Sequence, residues 1–194
     1  AAIGRLGRDV EAIVAVPRGY PAPGGRCRVV WGNHPVPGPG SLAAGRALWA
    51  AARAAEPADR LLFLVSGGGS ATAELPVARL DLDDCVRTTE VLLDGGAPIQ
   101  AMNAVRRHLS QLKGGRLAMA SRAGRFATVA ISDVVGDPPG DVASGPTVPD
   151  PTTYADALRA GRRYGFLDRL PAAARRALRD GAAGRLPETP KPED

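Results

Sequence analysis

The stretch Leu61-Leu62-Phe63-Leu64-Val65-Ser66-Gly67-Gly68-Gly69-Ser70-Ala71 decides how this chain is read. Five apolar residues in a row fit a strand buried on both faces, as in a parallel sheet. The glycines then end it, so the strand feeds a loop. Backbone N–H groups in such a loop can approach an anion with no Cβ in the way, which makes it a candidate phosphate or carboxylate cradle at a βα turn. The loop has neither the lysine of G-x-x-x-x-G-K-[ST] nor the spacing of G-x-G-x-x-G, so it is not a P-loop or a dinucleotide turn. A glycine turn needed only for close strand-to-helix packing is the alternative.

Upstream of this stretch, Ala12 to Val16 and Cys27 to Trp31 read as two strands around a Gly/Pro-rich loop. The prolines from Pro35 to Pro39 exclude a helix, and Ser41 suits the N-cap of one running to about Ala55. His34, beside Pro35, reads as a loop histidine with a solvated ring. Downstream, Asp81 caps a helix whose apolar face is Leu82, Cys85, Val86, Thr89 and Leu93. Gly95-Gly96 stops it, and Pro98 fits the first turn of the next. In that next helix Met102, Val105, Leu109 and Leu112 mark an apolar face, while Asn103, Arg106, Arg107, Ser110 and Lys113 fall on the other. Such a stripe suits anion binding, with an ordinary solvated face as the alternative. Gly114-Gly115 right after Lys113 favours the functional reading, since paired glycines in a helical pattern cost about 1 kcal/mol each.

Ala127 to Ser132 reads as a second buried-type strand with Asp133 at its carboxyl end. Ligands of open α/β sheets bind outside the carboxyl ends of strands, so Asp133 is expected on the same edge as the Ser66–Ser70 loop. Asp133 and Asp137 together offer two hard oxygen ligands of the kind magnesium uses; plain turn chemistry is the alternative. The run from Ser144 through Gly145 and Thr147 to Thr153 is a loop rich in hydroxyls. Helices are expected over Tyr154 to Tyr164 and Pro171 to Asp180.

Over 194 residues, 44% hydrophobic with only 4% aromatic, the chain can bury an aliphatic core of one ordinary domain. Its net charge of +5 comes almost wholly from arginine. No basic run is interleaved with aromatics, so no nucleic-acid partner is expected. Cys27 and Cys85 form no metal or disulfide pattern. No segment approaches a membrane span and no leader opens the chain, so a cytoplasmic setting is expected. Residues 1–186 read as one α/β domain. The proline-punctuated tail from Pro187 to Asp194 reads as a linker, and both ends look cut from something longer.

Taken in order, Ser-Gly-Gly-Gly-Ser-Ala (66–71), Asn-Ala-Val-Arg-Arg-His-Leu-Ser (103–110), Lys-Gly-Gly-Arg-Leu-Ala (113–118), Ser-Asp-Val-Val-Gly-Asp (132–137), Ala-Ser-Gly-Pro-Thr-Val-Pro-Asp-Pro-Thr-Thr (143–153) and Glu-Thr-Pro-Lys-Pro (188–192) carry a likeness. Together they resemble the N-terminal domain of the class II glycerate 2-kinases, whose C-terminal half is called MOFRL. The resemblance implies a Rossmann-like α/β/α sandwich with a mostly parallel sheet, and ATP- and Mg²⁺-dependent phosphorylation of D-glycerate to 2-phosphoglycerate. The alternatives are a hydroxypyruvate reductase, a name some family members carry, and a non-catalytic anion-binding module. Mapped onto these motifs, Arg106, Lys113 and Asp133 would be catalytic. Ser66, Gly67, Gly68, Gly69, Ser70, Asn103, Arg107, Ser144, Gly145 and Thr147 would bind substrate or nucleotide, and Asp133 and Asp137 would meet the metal. Partners would be D-glycerate and ATP, with a homodimer as the assembly and neither nucleic acid nor membrane involved.

Departures from the family pattern are Arg107 where a lysine is usual and Pro138 where an acidic residue is usual. The family's lysine-bearing segment would lie upstream of Ala1 and its MOFRL half beyond Asp194. The chain alone is therefore expected to be incompetent as an enzyme.

Overall fold

The computed structural model describes residues 10–21, 24, 26–132, 136 and 138–192. The expected α/β class is what forms. Strands β1 (Ile13–Pro17) and β2 (Arg28–Gly32) pair in parallel, and so do β3 (Arg60–Ser66) and β4 (Arg125–Ile131). Among the described residues the parallel sheet is thus two two-stranded ladders rather than one continuous layer. Helix α1 (Pro39–Ala54) lies between them in sequence and packs on β2. It starts three residues earlier than an N-cap at Ser41 implies, because Pro39, with no N–H to satisfy, takes the first turn. Ser41 sits inside that turn, where its Oγ accepts from the N–H groups of Gly38 and Asn33.

β3 corrects the expectation of a strand buried on both faces. Leu61, Phe63 and Val65 turn inward, with Phe63 against Ala52, Leu112 and Leu117, while Leu62 and Leu64 are 44% and 50% exposed. β4 departs further, since every residue from Arg125 to Ile131 is exposed. The register pairs Leu64 with Val129 and Ser66 with Ile131. Leu62, Leu64, Val129 and Ile131 therefore share one bare face of the ladder. An apolar run marks a strand suited to burial, but only a covering layer buries it.

The main core is helical. Helices α3 (Leu82–Asp94), α4 (Ile99–Leu109), α6 (Tyr154–Arg163) and α7 (Ala172–Ala182) enclose Leu92, Val105, Tyr154, Phe166 and Leu178, each 1% exposed or less. Asp81 caps α3 as expected, and Asp84 returns the bond to make the cap reciprocal. The buried face of α3 is Cys85, Thr88 and Leu92; Leu93, expected inside, is 46% exposed. α2 (Gly69–Thr72) and α5 (Arg116–Met119) are single turns. No helix among the described residues is long and apolar enough to cross a membrane.

Burial, with the Glu74 carboxylate second, pushes the Cys85 thiol up to about 12. Alkylation needs the thiolate. Iodoacetamide at pH 8 is therefore expected to leave Cys85 unmodified until the protein is denatured, as peptide mass mapping would show; rapid labelling of the native protein would contradict this packing.

The tail read as a linker folds back instead. Thr189 is 2% exposed and donates through Oγ1 to Asp150 Oδ2, 3.2 Å away. The Glu188 carboxylate accepts from the Tyr154 N–H at 3.2 Å and lies 2.8 Å from His108 Nε2. His108 is fully buried, and its Nδ1 donates to the Ala104 carbonyl at 2.6 Å. Residues 187–192 thus cover the α4–α6 seam.

Candidate active site

The parallel register of β3 and β4 sends both strands out at the same sheet edge, Ser66 opposite Ile131. Asp133 and Asp137, the expected metal-side carboxylates, lie outside the described residues. At that edge opens a cleft of about 260 Å³ lined by Gly67, Gly68, Ser70, Asn103, Arg106 and Ser144, with His34 and Glu74 on its walls. The glycine loop thus shares the cleft with Asn103 and Arg106 of the α4 stripe.

Gly68 has φ +77°, a left-handed conformation that caps the turn of α2. A Cβ there would sit 3.1 Å from the His34 ring. The exposed His34 ring is thus a wall of the cleft behind a glycine that cannot be enlarged without moving it. Gly68→Ala is expected to lower Tm by roughly 2–8 °C from the left-handed strain alone and to weaken ligand binding, which calorimetry would register. An unchanged Tm would show that the turn tolerates a side chain.

Most of the polar stripe on α4 is buried, which corrects both the solvated-face reading and part of the anion-binding one. Asn103, Arg107, Ser110 and Lys113 are each 5% exposed or less. α4 ends at Leu109, so Ser110 and Lys113 belong to the turn after it. Lys113 pairs with the Glu74 carboxylate, whose Oε1 also accepts from Ser110 Oγ at 2.5 Å. Arg107 is equally committed. Its guanidinium donates to Asp141 at 2.7 Å, the Gly140 carbonyl at 2.6 Å and Asp150 at 3.2 Å. Neither cation is available to a ligand, so the expected catalytic role of Lys113 and binding role of Arg107 become structural ones.

Arg106 is different. It is half-buried on the cleft wall and, among the described residues, makes no hydrogen bond or ion pair. Burial works against its charge and lowers its pKa, while the Glu74 carboxylate raises it. Arginine stays protonated regardless. This is an uncommitted planar fork of the kind that binds carboxylate or phosphate with two parallel bonds.

The remaining predicted residues divide. Ser144 and Ser70 face the cleft, their oxygens 2.9 Å apart. Gly69 packs on the Ala143 methyl, where a Cβ would come within 2.8 Å. Gly145 has φ +62° and turns the chain against Gly140. Thr147 accepts from the Thr128 hydroxyl at 2.9 Å, tying the loop to β4. Ser66 ends β3 and does not line the cleft. Sequence reasoning did not anticipate Glu74, Asp141 and Asp150 as partners. The usable signal was chemical, because a buried lysine or arginine demands a carboxylate.

The family model described as Domain of unknown function (DUF4147) matches residues 1–179. The chain belongs to this family. The DUF4147 domain described above is 43% identical over 183 residues to an Agrobacterium vitis protein named as a hydroxypyruvate reductase, covering 94% of this chain and 40% of that one. It is 40% identical to the glycerate 2-kinase of Pyrococcus horikoshii, covering 94% and 42%. The crystal structure of glycerate kinase from Thermotoga maritima superimposes with a TM-score of 0.79 at 35% identity, covering 93% of this chain and 42% of the other. The DUF4147 domain thus spans less than half the length of these relatives and shares the fold of a glycerate kinase.

Proposed function

We propose that the complete protein phosphorylates D-glycerate at its 2-hydroxyl with ATP, giving 2-phosphoglycerate, and that this domain supplies one wall of the site. The observation that carries the reading is that the uncommitted Arg106 lines one cleft with Gly67 and Gly68. The names of the relatives from Pyrococcus horikoshii and Thermotoga maritima support it.

Phosphoryl transfer asks the protein mainly to position the reactants and to neutralise charge. Arg106 holds an anionic group, the glycerate carboxylate or a nucleotide phosphate, and the glycine loop lets that group approach the backbone. Lys113 and Arg107 act indirectly, by fixing Glu74, Asp141 and Asp150 around it. The described residues contain no group of three His, Cys, Asp or Glu side chains that could cage a metal, and Asp141 is bound by Arg107 and Asn103. Magnesium carried by nucleotide phosphates needs only one or two protein carboxylates. Asp133 and Asp137 are the residues we propose for it. The ion would neutralise charge on the transferring group.

A coupled assay on the complete protein tests the reading. ADP release dependent on D-glycerate is the expected result. NADH oxidation with hydroxypyruvate and no ADP release would overturn it in favour of the activity named for the Agrobacterium vitis relative.

A further inference from the structure

We infer that Ser70 reads a substrate hydroxyl, accepting its hydrogen bond, and does not donate to an anion. The inference rests on the hydroxy-acid reading of this cleft and adds a direction to one contact within it.

The direction comes from the buried end of a hydrogen-bond chain. Asp141, held by Arg107 at 2.7 Å, is a carboxylate and can only accept. Asn103 therefore turns its amide nitrogen to Asp141 (2.9 Å) and its oxygen to Ser144 Oγ (2.9 Å). That oxygen can only accept, so Ser144 spends its single proton on Asn103. Ser144 Oγ then offers only lone pairs to Ser70 Oγ, 2.9 Å away, and Ser70 must spend its own proton on Ser144. What Ser70 has left for the cleft is lone pairs. A carboxylate or phosphate oxygen would be repelled there, and an alcohol O–H would be welcomed.

The backbone is bent to hold this arrangement. Ala143, Ser144 and Gly145 have φ of +50°, +62° and +62°, and two of the three carry side chains. Left-handed backbone at residues with a Cβ is strained and persists where the surroundings over-determine it. Here it places the Ser144 hydroxyl, 1% exposed, between Asn103 and Ser70. The cleft thus has two unlike ends: Arg106 for an anion and Ser70 for a donor. That is the pattern of a small hydroxy acid. A keto acid, whose carbonyl oxygen also only accepts, is disfavoured at Ser70.

The test compares D-glycerate with propionate, which keeps the carboxylate and lacks both hydroxyls, by calorimetry on the complete protein. Wild type is expected to prefer D-glycerate. Ser70→Ala should lose about tenfold in D-glycerate affinity and leave propionate unchanged, while Ser70→Thr, which keeps the hydroxyl, restores the preference. Ser144→Ala frees the Ser70 proton, and should raise hydroxypyruvate affinity relative to D-glycerate. Equal weakening of D-glycerate and propionate in Ser70→Ala, or no effect on either, overturns the inference. Turnover is scored separately. Glycerate-dependent ADP release with unaltered selectivity in Ser70→Ala overturns this inference alone. A Ser70-dependent hydroxyl preference without ADP release supports it and overturns only the phosphoryl-transfer reading.

Discussion

Arg106→Ala in the complete protein is expected to lower kcat/KM for D-glycerate and ATP by about 10²–10³-fold, the usual loss when one preorganised charge-stabilising donor is removed. Tm should move little. The reason is the isolation of this side chain: with no hydrogen bond or ion pair among the described residues, its removal strands no buried partner. Its pKa is lowered by burial, so the site holds a charge that the fold gains little from keeping. Arg106→Lys should recover part of the activity at most, because an ammonium cannot make the two parallel bonds of the fork. Steady-state kinetics beside a thermal melt decides the matter. A kcat/KM within threefold of wild type would return Arg106 to an ordinary surface position.

Arg107→Ala, one residue away, should do the reverse. Arg107 is 5% exposed and bridges Asp141, Asp150 and the Gly140 carbonyl. Asp150 is fully buried, so truncation leaves carboxylates short of their counter-charge. Breaking a buried pair from one side costs about 3–5 kcal/mol, which for a domain of this size is a Tm drop of roughly 6–20 °C. Differential scanning calorimetry would measure it. Arg107→Lys should restore part of the loss, since one ammonium can meet one carboxylate but not span two. A native Tm for Arg107→Ala would mean that this network is surface decoration.

These neighbours show where the sequence was legible and where it was not. The α4 period grouped Asn103, Arg106 and Arg107, which do lie on that helix, but it also took in Lys113, which lies in the turn beyond its end. Periodicity says which residues share a face, however, and not what covers that face. Asn103, Arg107 and Lys113 are covered by Glu74, Asp141 and Asp150, which lie 34 to 43 positions away along the chain from the residues they meet. Gly68 was legible because its conformation is nearly exclusive to glycine. Ala143 and Ser144 were not, because nothing in their side chains announces a left-handed backbone. The Asp81 cap was local and was read correctly. β3 was recognised as a strand, but its two-sided burial was inferred from composition and failed at Leu62 and Leu64. Asp133 and Asp137 lie outside the described residues.

The bare side of the β3–β4 ladder bears on how the chain behaves in a tube. Leu62, Leu64, Val129 and Ile131, between 44% and 74% exposed, form an oily stripe beside the edge of β4 that no strand among the described residues pairs with. Water is a poor solvent for such a stripe, and a free strand edge invites another strand to add to it. Solubility of this stretch on its own should therefore fail at that surface long before the helical core begins to melt.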